Sequence, residues 1–169
     1  MTAPPQRHII SILLQNEVGA LTRVAGLFAT RGYNIESLNV AATDDPTVSR
    51  ITLVTTGNEQ VVQQIVNQSL KLVDVVNVDD MTADAHIERE LLLLKLNVPA
   101  NQIAALRKTV DAAQARVLVE DPASFTIELT DSEAQVSRFI AAVSNYGDVL
   151  EVVRSGALAV YSGATTLKT

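Results

Sequence analysis

Apolar residues fall along the chain in two alternating rhythms. Ile9, Ile10, Ile12, Leu13 and Leu14 form a dense block ending at Asn16, which reads as a strand. Val18, Leu21, Ala25 and Phe28 then recur at helical intervals, and Gly32 stands where a left-handed residue would close that helix. Further strands are predicted over residues 35–40 and 50–55, the latter rich in β-branched side chains, with Asp44-Asp45-Pro46 as the turn between them. Thr56-Gly57-Asn58-Glu59 has the form of a capping box, its hydroxyl and carboxylate able to satisfy free amides at a helix start. Val62, Ile65, Val66 and Ser69 give that helix an inward face, and residues 73–78 close the unit as a fourth strand.

The same order then returns. A strand over 91–96 precedes a helix marked by Ile103, Leu106, Val110 and Ala113, and strands over 115–119 and 125–129 flank an Asp121-Pro122 turn. Thr130-Asp131-Ser132-Glu133 repeats the capping box before a helix faced by Val136, Phe139, Ile140 and Val143, and residues 148–152 form the last strand. The offsets agree: 76 residues separate Pro46 from Pro122, 74 separate Thr56 from Thr130, and 74 separate Asp74 from Asp148. An internal repeat of βαββαβ order predicts an α+β protein of two tandem ferredoxin-like domains. The division expected is residues 1–80, a linker over 81–88, and residues 89–169. Domains of this size bury only about 60% of their unfolded surface. Exposed sheet edges or faces therefore favour association, and a homodimer is expected.

Composition narrows the chemistry. The 169 residues include 13 Lys and Arg against 19 Asp and Glu, a net charge of −6 with no basic cluster. That lacks the electrostatic footprint of a nucleic-acid or anionic-membrane binder. No apolar stretch approaches the roughly 20 residues that span a bilayer, and residues 1–8 lack a signal-peptide pattern; the expected location is the cytoplasm. With no Cys there is no thiolate nucleophile and no Cys-ligated metal. The absence of Trp, with three Phe and three Tyr, leaves few stacking platforms, and His8 and His86 are the two imidazoles available for catalysis.

The halves differ most between first strand and first helix. In the first half this loop reads Asn16-Glu17-Val18-Gly19-Ala20-Leu21. A Gly at a helix start lets the backbone turn tightly and leaves amides unpaired at the positive end of the helix dipole, a carboxylate-sized anion site. Asn16 adds an amide side chain, and Asn34, expected nearby at the start of the second strand, adds another, so an α-carboxylate and an α-ammonium would both find partners. Ala20, Leu21 and Ile35 could accept an aliphatic side chain. The same residues also serve as plain caps and turn formers, since capping uses the same chemistry. The matching loop in the second half, Asn97-Val98-Pro99-Ala100-Asn101-Gln102, has no Gly and carries a Pro. It should not form the same nest.

These residues carry a resemblance. The block from Asn16 to Phe28 with Arg31-Gly32-Tyr33-Asn34-Ile35-Glu36-Ser37-Leu38 resembles the signature of the small regulatory subunit of acetohydroxyacid synthase (acetolactate synthase), whose first half is an amino-acid-sensing ACT domain. Thr43-Asp44 with Ser49-Arg50, Lys71-Leu72-Val73-Asp74-Val75, His86-Ile87-Glu88-Arg89-Glu90-Leu91 and Arg154-Ser155-Gly156 extend the likeness over about residues 7–156. The resemblance implies a non-catalytic subunit of branched-chain amino acid biosynthesis (valine, leucine, isoleucine). It would activate a separate large subunit and confer feedback inhibition by valine or a related amino acid. Thiamine diphosphate, magnesium and FAD would belong to that large subunit, and this chain would hold no cofactor or metal. The implied effector site joins Asn16, Glu17, Val18, Gly19, Ala20 and Leu21 of one copy to Asn34 and Ile35 of the facing copy in a dimer. The second half, implied to contact the large subunit, departs more, with Asp131 where relatives often have Gly.

Other features weigh less. Asp79, Asp80, Asp84, His86, Glu88 and Glu90 gather between the halves, but no loop spacing makes them a metal site, and a solvated acidic linker is expected. Strand alternation sets Arg89 opposite Glu88 and Glu90, and Arg154-Ser155-Gly156 either docks a partner or ends a strand. Two other functions bear comparison. An RNA-binding ferredoxin-like module would need basic and aromatic residues on its third strand, and residues 50–55 contain no aromatic. A small hydrolase would need an Arg/Asn phosphate site, for which Asn16 with Arg23 is thin material.

Overall fold

The computed structural model describes residues 5–121 and 123–167. Among these the chain divides into two compact units, one running to Ile87 and resuming at Ala157, the other Glu88–Gly156. The expected boundary is corrected on this point: the residues from Ala157 onward belong to the first unit.

The first unit runs β1 (Gln6–Gln15), α1 (Ala20–Arg31), β2 (Ser37–Ala42), β3 (Val48–Gly57), α2 (Glu59–Ser69) and β4 (Val75–Asp80). Its sheet has the order β2-β3-β1-β4, with antiparallel neighbours throughout. Ile10, Ile12, Leu14, Ile51 and Leu53 point to one face and meet Val24 and Phe28 of α1 and Val62 and Ile65 of α2. The left-handed Gly32 ends α1, and the Tyr33 amide reaches back to the Phe28 carbonyl at 2.9 Å. The Asp44-Asp45-Pro46 turn forms as expected: Asp45 Oδ1 accepts from the Thr47 amide at 2.8 Å and the Thr47 hydroxyl at 2.7 Å.

The second unit repeats the plan with β5 (His86–Asn97), a 3₁₀ turn Ala100–Gln102, α3 (Ile103–Ala112), β6 (Arg116–Val119), β7 (Phe125–Asp131), α4 (Glu133–Val143) and β8 (Asp148–Arg154). These strands pair in the order β6-β7-β5-β8. Leu92, Leu94, Leu96, Phe125 and Ile127 pack against Leu106, Val110, Val136, Phe139 and Val143. Gly147 admits β8 to this sheet, because a Cβ there would lie 2.2 Å from the Asn97 carbonyl oxygen. Pro122 of the expected turn lies outside the described residues, while Asp121 accepts from the Ser124 amide at 2.8 Å.

The repeat extends to an irregularity. On β1 the partner of Leu13 is Asn77 and that of Leu14 is Val75, so Val76 bulges; on β5 the partner of Lys95 is Glu151 and that of Leu96 is Val149, so Leu150 bulges. Those bulges carry the same 74-residue offset as Asp74 and Asp148.

Both helix caps need correction. Asn58, not Thr56, caps α2, accepting from the Val61 amide at 2.9 Å, and Ser132, not Thr130, caps α4, accepting from the Gln135 amide at 3.4 Å. The two threonines are still committed to strands, Thr56 opposite Arg7 and Thr130 opposite Leu91. Asn58→Ala should therefore cost about 1 kcal/mol, the usual loss for a cap. Thr56→Ala should cost well under half of that, in urea unfolding monitored by circular dichroism.

The opposite face of the first sheet is also covered. Ile9, Val54 and Met81 pack against Ala157, Ala159 and Tyr161, a cluster built by the last strand, β9 (Leu158–Tyr161). The Ser162 amide bonds the Ala85 carbonyl at 2.8 Å, and Tyr161 donates its hydroxyl to Asp79. The span expected as an acidic linker is likewise tied down. Met81 is fully buried with its amide on the Ile9 carbonyl at 3.0 Å, and β5 has begun by His86. By contrast, every residue of the edge strand β8 is exposed, including Val149, Leu150, Val152 and Val153. Among the described residues no helix is long and apolar enough to cross a membrane.

Candidate functional site

The Asn16–Leu21 loop is held at both ends. The Asn16 amide donates to the Thr47 carbonyl at 2.7 Å and its side-chain nitrogen to the Pro46 carbonyl at 3.0 Å, which fastens the loop to the β2–β3 turn. On the other flank the Gln15 amide bonds the Asp74 carbonyl at 2.7 Å, and Arg23 clamps the Asp74 carboxylate through Nε and Nη2, the latter at 2.9 Å. Gly19 opens α1 in the left-handed conformation, φ +89°. A Cβ there would come within 3.0 Å of Arg23 Nη1. Any side chain at this position meets both an unfavourable backbone and the clamp.

This geometry leaves donors free. Among the described residues the Ala20 amide bonds the Glu17 carbonyl and the Arg23 amide the Gly19 carbonyl, whereas the amides of Val18, Gly19, Leu21 and Thr22 make no backbone hydrogen bond. They sit at the positive end of a helix of 12 residues, where an anion is favoured. Asn16, Glu17 and Val18 are exposed and Leu21 is partly so. Ala20 is buried in the core, so its side chain cannot line a ligand site as expected.

Asn34 and Ile35 are not beside this loop in the chain, contrary to the expectation that Asn34 lies nearby. They follow the far end of α1, which advances about 18 Å over its length. They sit by the end of β3 that pairs with the start of β1, Asn34 accepting from Thr55 Oγ1 at 2.6 Å. Ile35 packs against the core, partly buried.

Sequence reasoning missed the Arg23–Asp74 clamp, although Asp74 was already a landmark of the repeat. Hydrogen bonds from Arg23 hold the Asp74 carboxyl below the ordinary carboxylate range, against the opposing effect of burial. A depressed carboxyl contributes stability above its unfolded pKa, about 3.9, and loses it as pH falls through the native value. Asp74→Asn should therefore flatten the acid limb of the thermal midpoint plotted against pH below about 4, with a lower midpoint at neutral pH.

The remaining candidates resolve into structural roles. Asp79 accepts from Tyr161, Asp80 from His8 Nδ1 at 2.9 Å, and Glu90 from Arg154. Among the described residues no three metal-ligating side chains converge. Arg154 bonds Glu90 through Nε at 3.1 Å and Nη2 at 2.6 Å, and the Gly156 amide adds a third bond at 3.1 Å. Ser155 Oγ accepts from the Leu91 amide at 2.9 Å, so Arg154-Ser155-Gly156 ends a strand by locking it to β5. Arg89 turns outward between Glu88 and Glu90, as alternation requires.

Comparison with known proteins agrees across the whole described fold. The profile described as an AHAS small subunit-like ACT domain matches residues 10–77, and that of the small subunit of acetolactate synthase matches residues 89–163. The acetolactate synthase isozyme 3 small subunit of Escherichia coli K12 is 41% identical over 157 residues, 93% of this chain and 96% of that protein. The acetolactate synthase small subunit of Haemophilus influenzae is 43% identical over 157 residues, again 93% of this chain and 96% of its own. The crystal structure of the acetolactate synthase small subunit from Thermotoga maritima superposes with a TM-score of 0.85 at 28% identity, covering 95% of this chain and 99% of that one.

Proposed function

The chain belongs to the acetolactate synthase small subunits, built on an ACT domain, and on that premise we propose that it regulates a catalytic large subunit by sensing a branched-chain amino acid. In this reading it activates the large subunit in the cytoplasm and confers feedback inhibition by valine. Thiamine diphosphate, magnesium and FAD stay with the large subunit, and this chain performs none of the bond-making.

The observation that carries the reading is the loop opened by Gly19, with four amides free of backbone partners at a helix N-terminus and a rigid support on either side. The effector carboxylate takes those amides. Asn16 has committed its side-chain nitrogen to Pro46, so its oxygen is the acceptor on offer to the effector ammonium.

A homodimer supplies the rest. Strand β2 is an edge of its sheet and runs parallel to β1, two strands away. Antiparallel pairing of two β2 edges about a two-fold axis would carry Asn34 and Ile35 of one copy to the sheet end that bears Asn16–Leu21 of the other. The ligand then bridges the seam and favours one arrangement of the two ACT domains. A coupling of about 1–3 kcal/mol between effector and large subunit would be typical of such linkage.

The test is acetolactate formation by the chain's own large subunit, titrated with this chain with and without valine. Activation that valine then reverses supports the whole reading. Activation without valine sensitivity moves the effector to leucine or isoleucine, and no response at all overturns the regulatory role.

A further inference from the structure

The first unit holds a second concavity, on the sheet face away from its helices, that the effector reading does not use. Arg50 of β3 stands there opposite Leu13 of β1. Its Nη2 donates to the Ala159 carbonyl at 3.0 Å and touches the Met81 sulfur at 3.8 Å, while Nε is buried without a hydrogen-bond partner. Arg23, Arg107, Arg116 and Arg154 each hold a carboxylate. Arg50, among the described residues, has none. A partly buried cation without a counter-charge is costly to keep, so its retention needs a reason.

Arg50 lines an open cleft of about 390 Å³ bordered by the β2–β3 turn and the C-terminal segment. That volume lies within the usual range of small-molecule sites, roughly 300–1,000 Å³. Leu13 and Val48 give it an apolar wall, Tyr161 a phenol, and Asp44 and Asp45 an acidic side. Asp45 spends one oxygen on Thr47, whereas Asp44 has no hydrogen bond or ion pair among the described residues. A phosphate or dicarboxylate would meet those acids with repulsion. A zwitterion satisfies both signs.

We propose that this cleft binds a small apolar α-amino acid within a single chain, its carboxylate on Arg50, its ammonium toward Asp44 and its side chain against Leu13 and Val48. The site is separate from the effector seam: Gly19 and its amides take no part in it, and it needs no second copy.

The test is a titration of the full chain followed by amide NMR, using L-valine, 3-methylbutanoate (the same skeleton without the ammonium) and inorganic phosphate as probes. Valine should shift residues 43–48 and 160–161 along a curve separate from that of residues 16–21. Arg50→Lys and Asp44→Asn should each weaken the first curve about tenfold or more, the loss expected for one charge-assisted contact. Phosphate should shift neither residue 50 nor residue 161. Asp44→Asn alters an exposed turn residue, so its result stands even if the Arg50 variant unfolds. Valine shifts confined to residues 16–21, a first curve indifferent to Asp44→Asn, or equal shifts with phosphate or 3-methylbutanoate would overturn the proposal. Shifts at 43–48 without any at 16–21 would uphold it while removing the seam assignment.

Discussion

Gly19→Asp should leave stimulation of the large subunit intact and abolish valine inhibition, raising the half-inhibitory concentration about 100-fold or more. Three effects act together. The residue sits at φ +89°, where a side chain costs about 1–2 kcal/mol. Its Cβ would press to 3.0 Å from the Arg23 guanidinium that clamps Asp74. Its carboxylate would also stand where the effector carboxylate is proposed to bind, and like charges in a small site are strongly disfavoured. A 100-fold change corresponds to roughly 2.7 kcal/mol, to which displacement of the loop and the charge repulsion both contribute. Gly19→Ala, which keeps only the first two effects, should give an intermediate loss. The measurement is an inhibition curve at saturating small subunit; unchanged valine sensitivity in Gly19→Asp would remove this loop from the effector site.

Arg154→Ala should destabilise the second unit by about 3 kcal/mol, the lower end of the range for breaking a buried pair. Glu90 is only 4% exposed. Without the guanidinium its carboxylate keeps just the Gly156 amide, and an unpaired buried charge costs more than the pair ever contributed. Water reaches part of Arg154, whose side chain is 33% exposed, which is why the lower end applies. For a unit this small the thermal midpoint should fall by about 12–24 °C. Glu90→Leu combined with Arg154→Met should recover most of that loss, because no charge is left stranded. A midpoint change of less than about 5 °C in Arg154→Ala would mean that Glu90 is solvated once the arginine is gone.

Most of the fold was legible in the pattern of side chains because each element announces itself locally. The spacing of Val62, Ile65 and Ser69 marks the packed face of α2. On α1 the expected face is corrected: Val18 lies before the helix and Leu21 is exposed, whereas Ala20, Val24 and Phe28 are buried, because the helix starts only at Ala20 and its core positions recur every fourth residue from there. Two further features escaped. The caps fell on Asn58 and Ser132 because strand pairing held Thr56 and Thr130 in the ladder two residues longer than propensity suggests. The return of β9 depends on a long-range contact that no local window contains. Its trace was in β1 all the same: Ile9, Ile10, Ile12, Leu13 and Leu14 do not alternate with polar residues, the mark of a strand covered on both faces.

The geometry of the Asn16–Leu21 loop was legible for a related reason. Gly19 and Asn16 sit in one short stretch, and helix-start chemistry can be read residue by residue. The Arg23–Asp74 clamp spans 51 residues, and Asn34 lies a helix length from the loop it was expected to join. Neither relation follows from spacing, since each is a property of the assembled sheet.

The return of β9 also bears on how the protein is made. The first unit leaves the ribosome first, yet the outer face of its sheet, with Ile9 and Val54, stays uncovered until Ala157, Ala159 and Tyr161 emerge. At about 5–20 residues per second the whole second unit must be synthesised in between, leaving that face bare for several seconds. The earliest part of the chain to fold is thus among the last to be finished, and a nascent chain stalled before Ala157 would present an open apolar sheet to whatever binds such surfaces in the cell.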